Sequence, residues 1–162
     1  MSISIIAAIA ANNVIGINNQ LPWCLPKELE NFYKLIYQKP VVMGYNTYKS
    51  IGKPIKDSKN YILSNNSSLK IPDCTVINSI NIILELSRQN NTEIMIIGGE
   101  SIYQQFLPFA SKMYLTIIKH EFAGDARFPA WAKDDWQTVD QESITSEIYP
   151  YNLTKLHKRL LR

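Results

Sequence analysis

Apolar positions along this chain fall into two rhythms, unbroken runs and stripes repeating every three or four residues, and their alternation lays out the fold. Residues 3–11 are almost continuously apolar, as a strand covered on both faces requires, and read as a central parallel strand. Asn12-Asn13 and Asn18-Asn19, around Gly16, then mark a polar loop. Leu29, Phe32, Tyr33 and Ile36 recur at i, i+3, i+4 and i+7. This predicts a helix over residues 26–37 with that stripe turned inward and Lys27, Asn31 and Lys34 turned out. Pro26 has the fixed φ that suits the first position, and the acids Glu28 and Glu30 fall in the first turn, where the helix dipole favours negative charge.

The same alternation continues. Lys39-Pro40 restarts the chain as an extended Val41-Val42-Met43, stopped by Gly44. Asn46 or Thr47 is expected to cap a short helix towards Ser50, and Ile51-Gly52-Lys53-Pro54 reads as a turn. Strands are predicted at 60–64 and 75–77 around a loop at 65–68, and Ser79 caps a helix whose inward face is Ile80, Ile83, Leu84 and Ser87. Residues 93–97 form a second buried run ending on Gly98-Gly99. A helix over 100–107 follows, with Ile102, Phe106 and Leu107 as its stripe and Tyr103 beside it. After a strand over 113–119 and a loop over 122–129, residues 136–145 and 151–159 alternate as antiparallel strands joined through Tyr149-Pro150. The whole predicts an α/β fold, a three-layer sandwich around a mostly parallel sheet that ends in an antiparallel C-terminal hairpin.

Composition narrows the function classes. With 162 residues, 46% of them hydrophobic, the chain buries one substantial core, so 1–162 is expected to be a single domain. The 17 basic and 14 acidic residues are spread out and leave +3, without the clustered basic face that nucleic acid needs. The basic tail, 155–162, alternates with Leu156, Leu160 and Leu161 and reads as a solvated final strand. Cys24 and Cys74 sit in unrelated contexts, which favours a reducing compartment over a disulfide scaffold. The N-terminus lacks the basic start of a signal peptide, no apolar run approaches membrane-spanning length, and two histidines alone do not build a metal site. A cytoplasmic monomer is expected, with no metal and no nucleic-acid or membrane partner.

Two stretches carry candidate chemistry. In the first, Glu28 lies on the edge of the helical stripe, one turn before Phe32 and near Trp23. An ionised acid there accepts two parallel hydrogen bonds from a flat ring, or is simply a solvated first-turn acid. Glu30 sits as far out on the other edge, and periodicity does not choose between them. In the second, a helix opening directly after Gly98-Gly99 leaves free N–H groups and room for a phosphate, although such turns also serve tight packing. The helix start at Tyr45-Asn46-Thr47 is a second such seat. Two seats at the carboxyl ends of parallel strands suit a dinucleotide.

The motifs resolve the choice by resemblance. Val14-Ile15-Gly16 followed by Leu21-Pro22-Trp23, Leu25-Pro26 and the acid Glu28 resembles the substrate loop of dihydrofolate reductase. The likeness extends through Pro40-Val41-Val42-Met43-Gly44 with Thr47, Ser50-Ile51-Gly52-Lys53-Pro54, residues 94–99 with Tyr103, Tyr114-Leu115-Thr116, and Gly124-Asp125 with Phe128-Pro129. It implies hydride transfer from NADPH to C6 of dihydrofolate, with a proton reaching N5. It also implies that Glu28, a Glu where the family often has Asp, holds the pterin with help from Thr116. Ile6, Ala7 and Ile97 would flank the ring, Phe32 would pack on it, and Leu29, Ile51 and Ile55 would line the channel beyond, with Lys53 and Ser58 near the substrate's tail. Leu21 and Trp23 would belong to a loop closing over nicotinamide, with Tyr103 beside the reacting carbons. The cofactor would be held by Ala8, Ile15, Gly16, Asn19, Leu21, Gly44, Tyr45, Asn46, Thr47, Leu63, Ser64, Asn65, Gly98, Gly99, Glu100, Ser101, Ile102 and Tyr103. Relatives commonly carry arginine where this chain has Tyr45 and Ser101, near the cofactor's 2′-phosphate, and Ser58, opposite the substrate's glutamate tail. Lys59 or Lys53 would be a looser substitute for the last. The alternatives are a reductase of the same fold acting on another pteridine or a pyrimidine, and a nucleotide-binding protein without catalysis.

Overall fold

In the computed structural model, which describes residues 2–89 and 91–160, the apolar runs become adjacent strands and the stripes become helices packed on them. Met1, Asn90 and the last two residues of the basic tail, Leu161 and Arg162, lie outside the described residues. In chain order the elements are β1 (Ser2–Ile9), β2 (Val14–Gly16), α1 (Pro26–Ile36), β3 (Val41–Gly44), α2 (Tyr45–Ile51), β4 (Asn60–Leu63), β5 (Cys74–Ile77), α3 (Ile80–Gln89), β6 (Glu93–Ile96), α4 (Glu100–Phe106), β7 (Lys112–Ile118), β8 (Ala126–Arg127), β9 (Trp136–Ile144) and β10 (Tyr151–Lys158).

Eight of the ten described strands form one sheet in the order β5-β4-β3-β6-β1-β7-β10-β9. Every pair from β5 to β7 is parallel, while β10 runs antiparallel to both β7 and β9. Alternate residues of one strand go to opposite faces. Ile3, Ile5, Ala7 and Ile9 of β1 join Val42, Ile94, Ile96, Met113 and Leu115 in one cluster, which α3 and α4 cover with Ile83, Ile102, Tyr103 and Phe106. Ile6 joins Val41, Met43, Met95 and Ile97 on the other face, under Ile36 of α1 and, at its border, Phe32, Leu35, Tyr48 and Ile51. Both faces are therefore covered, which is why the central strands read as unbroken apolar runs.

Several predicted boundaries shift, each for a local reason. The first strand ends at Ile9 because Asn13 turns the chain at positive φ and Ala10 N–H closes onto the Val14 carbonyl. Gly44, in extended geometry, holds the N-cap position of α2, so neither Asn46 nor Thr47 caps it; Gly52 closes the helix at φ +86°. Residues 14–16 and 126–127, read as loops, pair as a small antiparallel ladder, β2 with β8. The buried face of α1 is also displaced. Glu28, Leu35 and Ile36 turn inward beside Phe32, whereas Leu29 and Tyr33 remain 44% and 43% exposed.

Candidate active site

Leu29 and Tyr33 are exposed because they wall a cleft. It encloses about 440 Å3 where β1, β3 and β6 end, as expected for a ligand site on a parallel sheet. Its lining comes from Ile6, Ala7 and Ala8 of β1; Ile15 and Gly16 of β2 with Asn19, Gln20 and Leu21 after it; Glu28, Leu29, Phe32 and Tyr33 of α1; Gly44 with Tyr45, Asn46, Thr47, Ser50 and Ile51; Ile97, Gly98, Gly99, Glu100, Ser101, Ile102 and Tyr103; and Ala126 of β8. Among these lining residues the only charged side chains are Glu28 and Glu100, and no lysine or arginine is present.

Glu28 is 6% exposed, while Glu30, its rival in the sequence, stands in solvent paired with Lys34 at 3.5 Å. The Thr116 hydroxyl of β7 donates to Glu28 Oε1 at 2.9 Å. Burial raises the Glu28 pKa above the ordinary carboxylate value; the Thr116 hydrogen bond opposes the shift, and the negative charge of Glu147 adds to it. A second cavity, of about 270 Å3, reaches Glu28 and Thr116 from behind, between α1 and the β9–β10 pair.

On the facing wall Tyr103 is buried, and its hydroxyl donates to the Ile6 carbonyl at 2.8 Å. Burial, with the Glu28 charge nearby, pushes the Tyr103 phenol up, so it stays a protonated donor. Tyr103 also fixes the glycine turn: a Cβ on Gly98, which sits at φ +115°, would meet its hydroxyl oxygen at 3.0 Å. Gly98 and Gly99 are joined by a cis peptide bond, and the Gly98 carbonyl accepts the Gly44 N–H at 2.9 Å. The starts of α2 and α4 are thus adjacent at the end of the cleft. No side chain caps either helix, and the Glu100 carboxylate is turned aside, accepting the Arg127 N–H at 2.7 Å. That leaves the first-turn N–H groups for an anion.

The loop between β2 and α1 is anchored by aromatic packing. Trp23 is 6% exposed and packs on Phe122 at 5.3 Å between ring centres, and Tyr149 meets Phe122 at 5.0 Å. Leu21, by contrast, is half exposed at the cleft mouth. The N-cap residue of α1, Leu25, makes no side-chain hydrogen bond to the helix. Glu147, in the β9–β10 loop, supplies an acceptor instead, taking the Lys27 N–H at 2.9 Å.

Most of the residues singled out in the sequence line this one cleft, and some do not. Thr116 reaches Glu28 from the rear cavity, and Trp23 is packed into a separate apolar cluster with Leu25, Ile118 and Tyr151. Ile55 is buried under the lower face of the sheet, and Lys53 is exposed outside the lining. The Ser58 hydroxyl donates to the Ile36 carbonyl at 3.3 Å. Leu63 packs at the border of the upper cluster, Ser64 Oγ accepts the Asn66 N–H at 3.1 Å, and Asn65 is exposed; none of the three lines the cleft. Gln20, Tyr33, Ser50 and Ala126 line it without having been singled out. Tyr33 carried a signal, since it stands one turn from Leu29, but an apolar wall and an apolar core have the same period. Glu147 carried none, because its partners are remote in sequence.

Comparison with known proteins places this architecture. A family model described as dihydrofolate reductase matches residues 2–158. Among curated relatives, dihydrofolate reductase of Bacillus subtilis (strain 168) is 36% identical over 151 residues, covering 93% of this chain and 89% of that one. Dihydrofolate reductase of Staphylococcus haemolyticus is 37% identical over 153 residues, covering 94% and 92%. Dihydrofolate reductase type 3 of Salmonella typhimurium is 39% identical over 143 residues, covering 88% of each. Among solved structures, dihydrofolate reductase from Enterococcus faecalis complexed with NADP(H) and RAB-propyl superposes with a TM-score of 0.92 at 24% identity, covering 97% of this chain and 96% of that one.

Proposed function

The chain belongs to the dihydrofolate reductase family, and from that premise we propose that it reduces 7,8-dihydrofolate to 5,6,7,8-tetrahydrofolate in the cleft shared by Glu28 and the Gly98-Gly99 turn. The observation that carries the reading is the buried carboxylate. Thr116 engages Glu28 Oε1 and orients the group, so the carboxylate faces the cleft as a two-oxygen acceptor for the pterin's N3–H and 2-amino group. The ring is flanked by the backbone of Ile6, Ala7 and Ile97 and packs on Phe32, with Leu29 and Ile51 towards the substrate's tail; Ile55, buried behind them, supports that wall without reaching the cleft.

NADPH, when bound, supplies the hydride that C6 accepts, while a proton goes to N5. The lining fits such a ligand at one end, where the uncapped starts of α2 and α4 and the close-packed Gly98-Gly99 turn offer N–H donors without a Cβ in the way. In the absence of a basic lining residue, Thr47, Asn46, Ser101 and backbone N–H groups would hold the phosphates, with Tyr45 also lining that part of the cleft. Giving up a hydride would leave the neutral nicotinamide ring positively charged, so the chain's own contribution is alignment and dryness. Ala8, Ile15, Ile102 and the buried Tyr103 keep the reacting end apolar, and Leu21 closes the mouth over a loop that Trp23 anchors.

Initial rates test this directly. NADPH oxidation is expected to depend on dihydrofolate and to collapse in Glu28→Ala; full turnover in that variant would sink the assignment of the acid. A smaller pteridine is the second reading, favoured by one observation: Ser58 is turned to the Ile36 carbonyl and no arginine stands for the glutamate tail. A panel of dihydropteridines beside dihydrofolate separates the two. We further propose a single-domain cytoplasmic monomer acting on small molecules alone, without nucleic-acid or membrane partners. No described helix is long and apolar enough to cross a membrane.

A further inference from the structure

The loop between β9 and β10 supplies what α1 lacks at its own start. An N-cap side chain ordinarily accepts the second or third N–H of its helix, and Leu25 has none to offer. Lys27 holds the second position of α1, and its N–H is accepted at 2.9 Å by Glu147 Oε1, 120 residues further along the chain. The other carboxylate oxygen, Oε2, accepts the Tyr151 hydroxyl at 2.6 Å, and the Lys27 ammonium donates to Ser146 Oγ at 3.2 Å. Tyr151 is itself buried in the apolar cluster that holds Trp23 and Leu25. The acceptor is therefore braced from β10, and its negative charge sits at the positive end of the helix.

We propose that Glu147 is a positioning residue for the substrate: it caps α1 from across the molecule and so fixes the first turn that carries Glu28. This rests on the reading of Glu28 as the group that grips the pterin. Glu28 is the next residue after the capped N–H, and its carboxylate must meet two ring donors at once. A first turn that frays spreads the carboxylate over several positions and weakens that grip, without touching the hydride step.

Glu147 acts through charge as well. The groups that face Glu28 are Thr116 on β7, Tyr103 on α4, Tyr151 on β10 and Glu147 in the loop, with Asp140, Glu142 and Lys155 along the cavity behind it; Lys27, next to it on α1, is turned to Ser146 and Glu147. The nearby Glu147 carboxylate makes ionisation of Glu28 harder. Burial opposes the charge of Glu147 itself, but the Tyr151 hydroxyl, the N–H groups of Lys27 and Glu28 and the Lys27 ammonium outweigh it and hold its pKa low. Glu147 therefore stays charged while Glu28 titrates.

Three variants with wild type separate these roles. Glu147→Ala is expected to raise the KM for dihydrofolate about tenfold while kcat stays within about twofold, since binding shared by ground and transition state is what is lost. Glu147→Gln keeps an acceptor for the Lys27 N–H, and the Tyr151 hydroxyl accepts from its amide. It is expected to restore KM to near wild type and to move the acid limb of the KM–pH profile to lower pH. Ile148→Ser, 77% exposed on the same loop, is the control and leaves both unchanged. A Glu147→Ala protein with wild-type KM and an unmoved pH profile, but a lower melting temperature, would show a structural cap only and overturn the proposal; so would a Glu147→Gln acid limb that does not move. If Glu147→Ala does not fold, Tyr151→Phe, which removes one brace, is expected to raise KM about threefold, and an unchanged KM there counts equally against the idea. Absence of dihydrofolate-dependent NADPH oxidation by wild type, or a wild-type KM in Glu28→Gln, would instead overturn the reading of Glu28 itself.

Discussion

Glu28 is held where a carboxylate least wants to be. Burial raises its pKa above the ordinary 4.5, and the Thr116 hydrogen bond recovers only part of the cost. A carboxyl whose folded pKa lies above its unfolded one binds its proton more tightly when folded. It therefore supports the fold below the unfolded value, and that support is lost as pH rises through the folded pKa. At neutral pH the ionised Glu28 is thus a liability that function retains. Glu28→Gln is expected to lower kcat/KM for dihydrofolate roughly a hundredfold by removing a charged acceptor of paired donors. The same variant is expected to melt at a higher temperature than wild type at pH 7, the gain fading as pH falls through the raised pKa and gone below about pH 4.5, the ordinary carboxylate value. Melting curves across pH check this, and a Gln variant less stable than wild type at pH 7 would refute it. Helical periodicity could not tell Glu28 from Glu30, because both lie an equal angle from the stripe. The distinction became legible through motif order, and its physical cause is tertiary: β7 brings Thr116 to one side of α1 only.

At the scale of elements, pattern reading succeeded where a stretch serves one purpose and failed where it serves two. α3 follows its predicted face, with Ser79 accepting the Asn81 N–H at 3.2 Å and with Ile83 and Ser87 buried. α1 does not, because Leu29 and Tyr33 are spent on the cleft wall. β2 and β8 were invisible, since a ladder this short has no alternation to read. They are held by distant partners: Asp125 N–H to the Gly16 carbonyl at 3.0 Å, Phe128 N–H to the Asn13 carbonyl at 2.8 Å, and the Arg127 guanidinium to the Asn12 carbonyl at 3.0 Å. Gly124 permits this approach, because a Cβ there would lie 2.3 Å from Val14 Cγ1 and 2.5 Å from the Gly16 carbonyl oxygen. Both contacts are too short to be absorbed, one of them being with backbone. Gly124→Ala is expected to cost about 1–3 kcal/mol, the price of overpacking a fitted site. It should also weaken NADPH binding, because Ile15, Gly16 and Ala126 line that side of the cleft. Urea denaturation and a fluorescence titration with NADPH measure the two effects, and wild-type values for both would show that β2 and β8 tolerate separation.

Across the whole molecule the sheet separates two electrostatic problems. The cleft lies at the carboxyl ends of β1, β3 and β6, and at the other end of the sheet Glu93 opens β6 opposite Ser2 in the register of β1. Glu93 accepts hydrogen bonds from Ser4, from the Lys39 ammonium at 2.6 Å and from the Tyr114 hydroxyl at 3.0 Å. Burial pushes its pKa up, but the Lys39 and Ser4 hydrogen bonds, the Lys39 charge and Tyr114 outweigh it, so the net shift is downward. Its linkage is therefore the reverse of that at Glu28: the stabilisation is present above the ordinary carboxylate pKa and lost as pH falls through the lowered one. Tyr114, pushed up to about 12 by burial and by this carboxylate, remains the donor throughout. Glu93→Gln is expected to cost roughly 2 kcal/mol at pH 7 because it strands a partly buried Lys39. The deficit should shrink in acid, where wild type loses the same interaction. Since the rigid parallel strands lie between the two ends, kcat and KM should stay at wild-type values in Glu93→Gln while Glu28→Gln loses activity and gains stability. Urea midpoints for the two variants should lie on opposite sides of wild type at neutral pH; the Glu28→Gln gain should close as pH falls towards about 4.5, and the Glu93→Gln deficit only as pH falls below it. Parallel curves would mean that the two carboxyl groups do not titrate in the environments described.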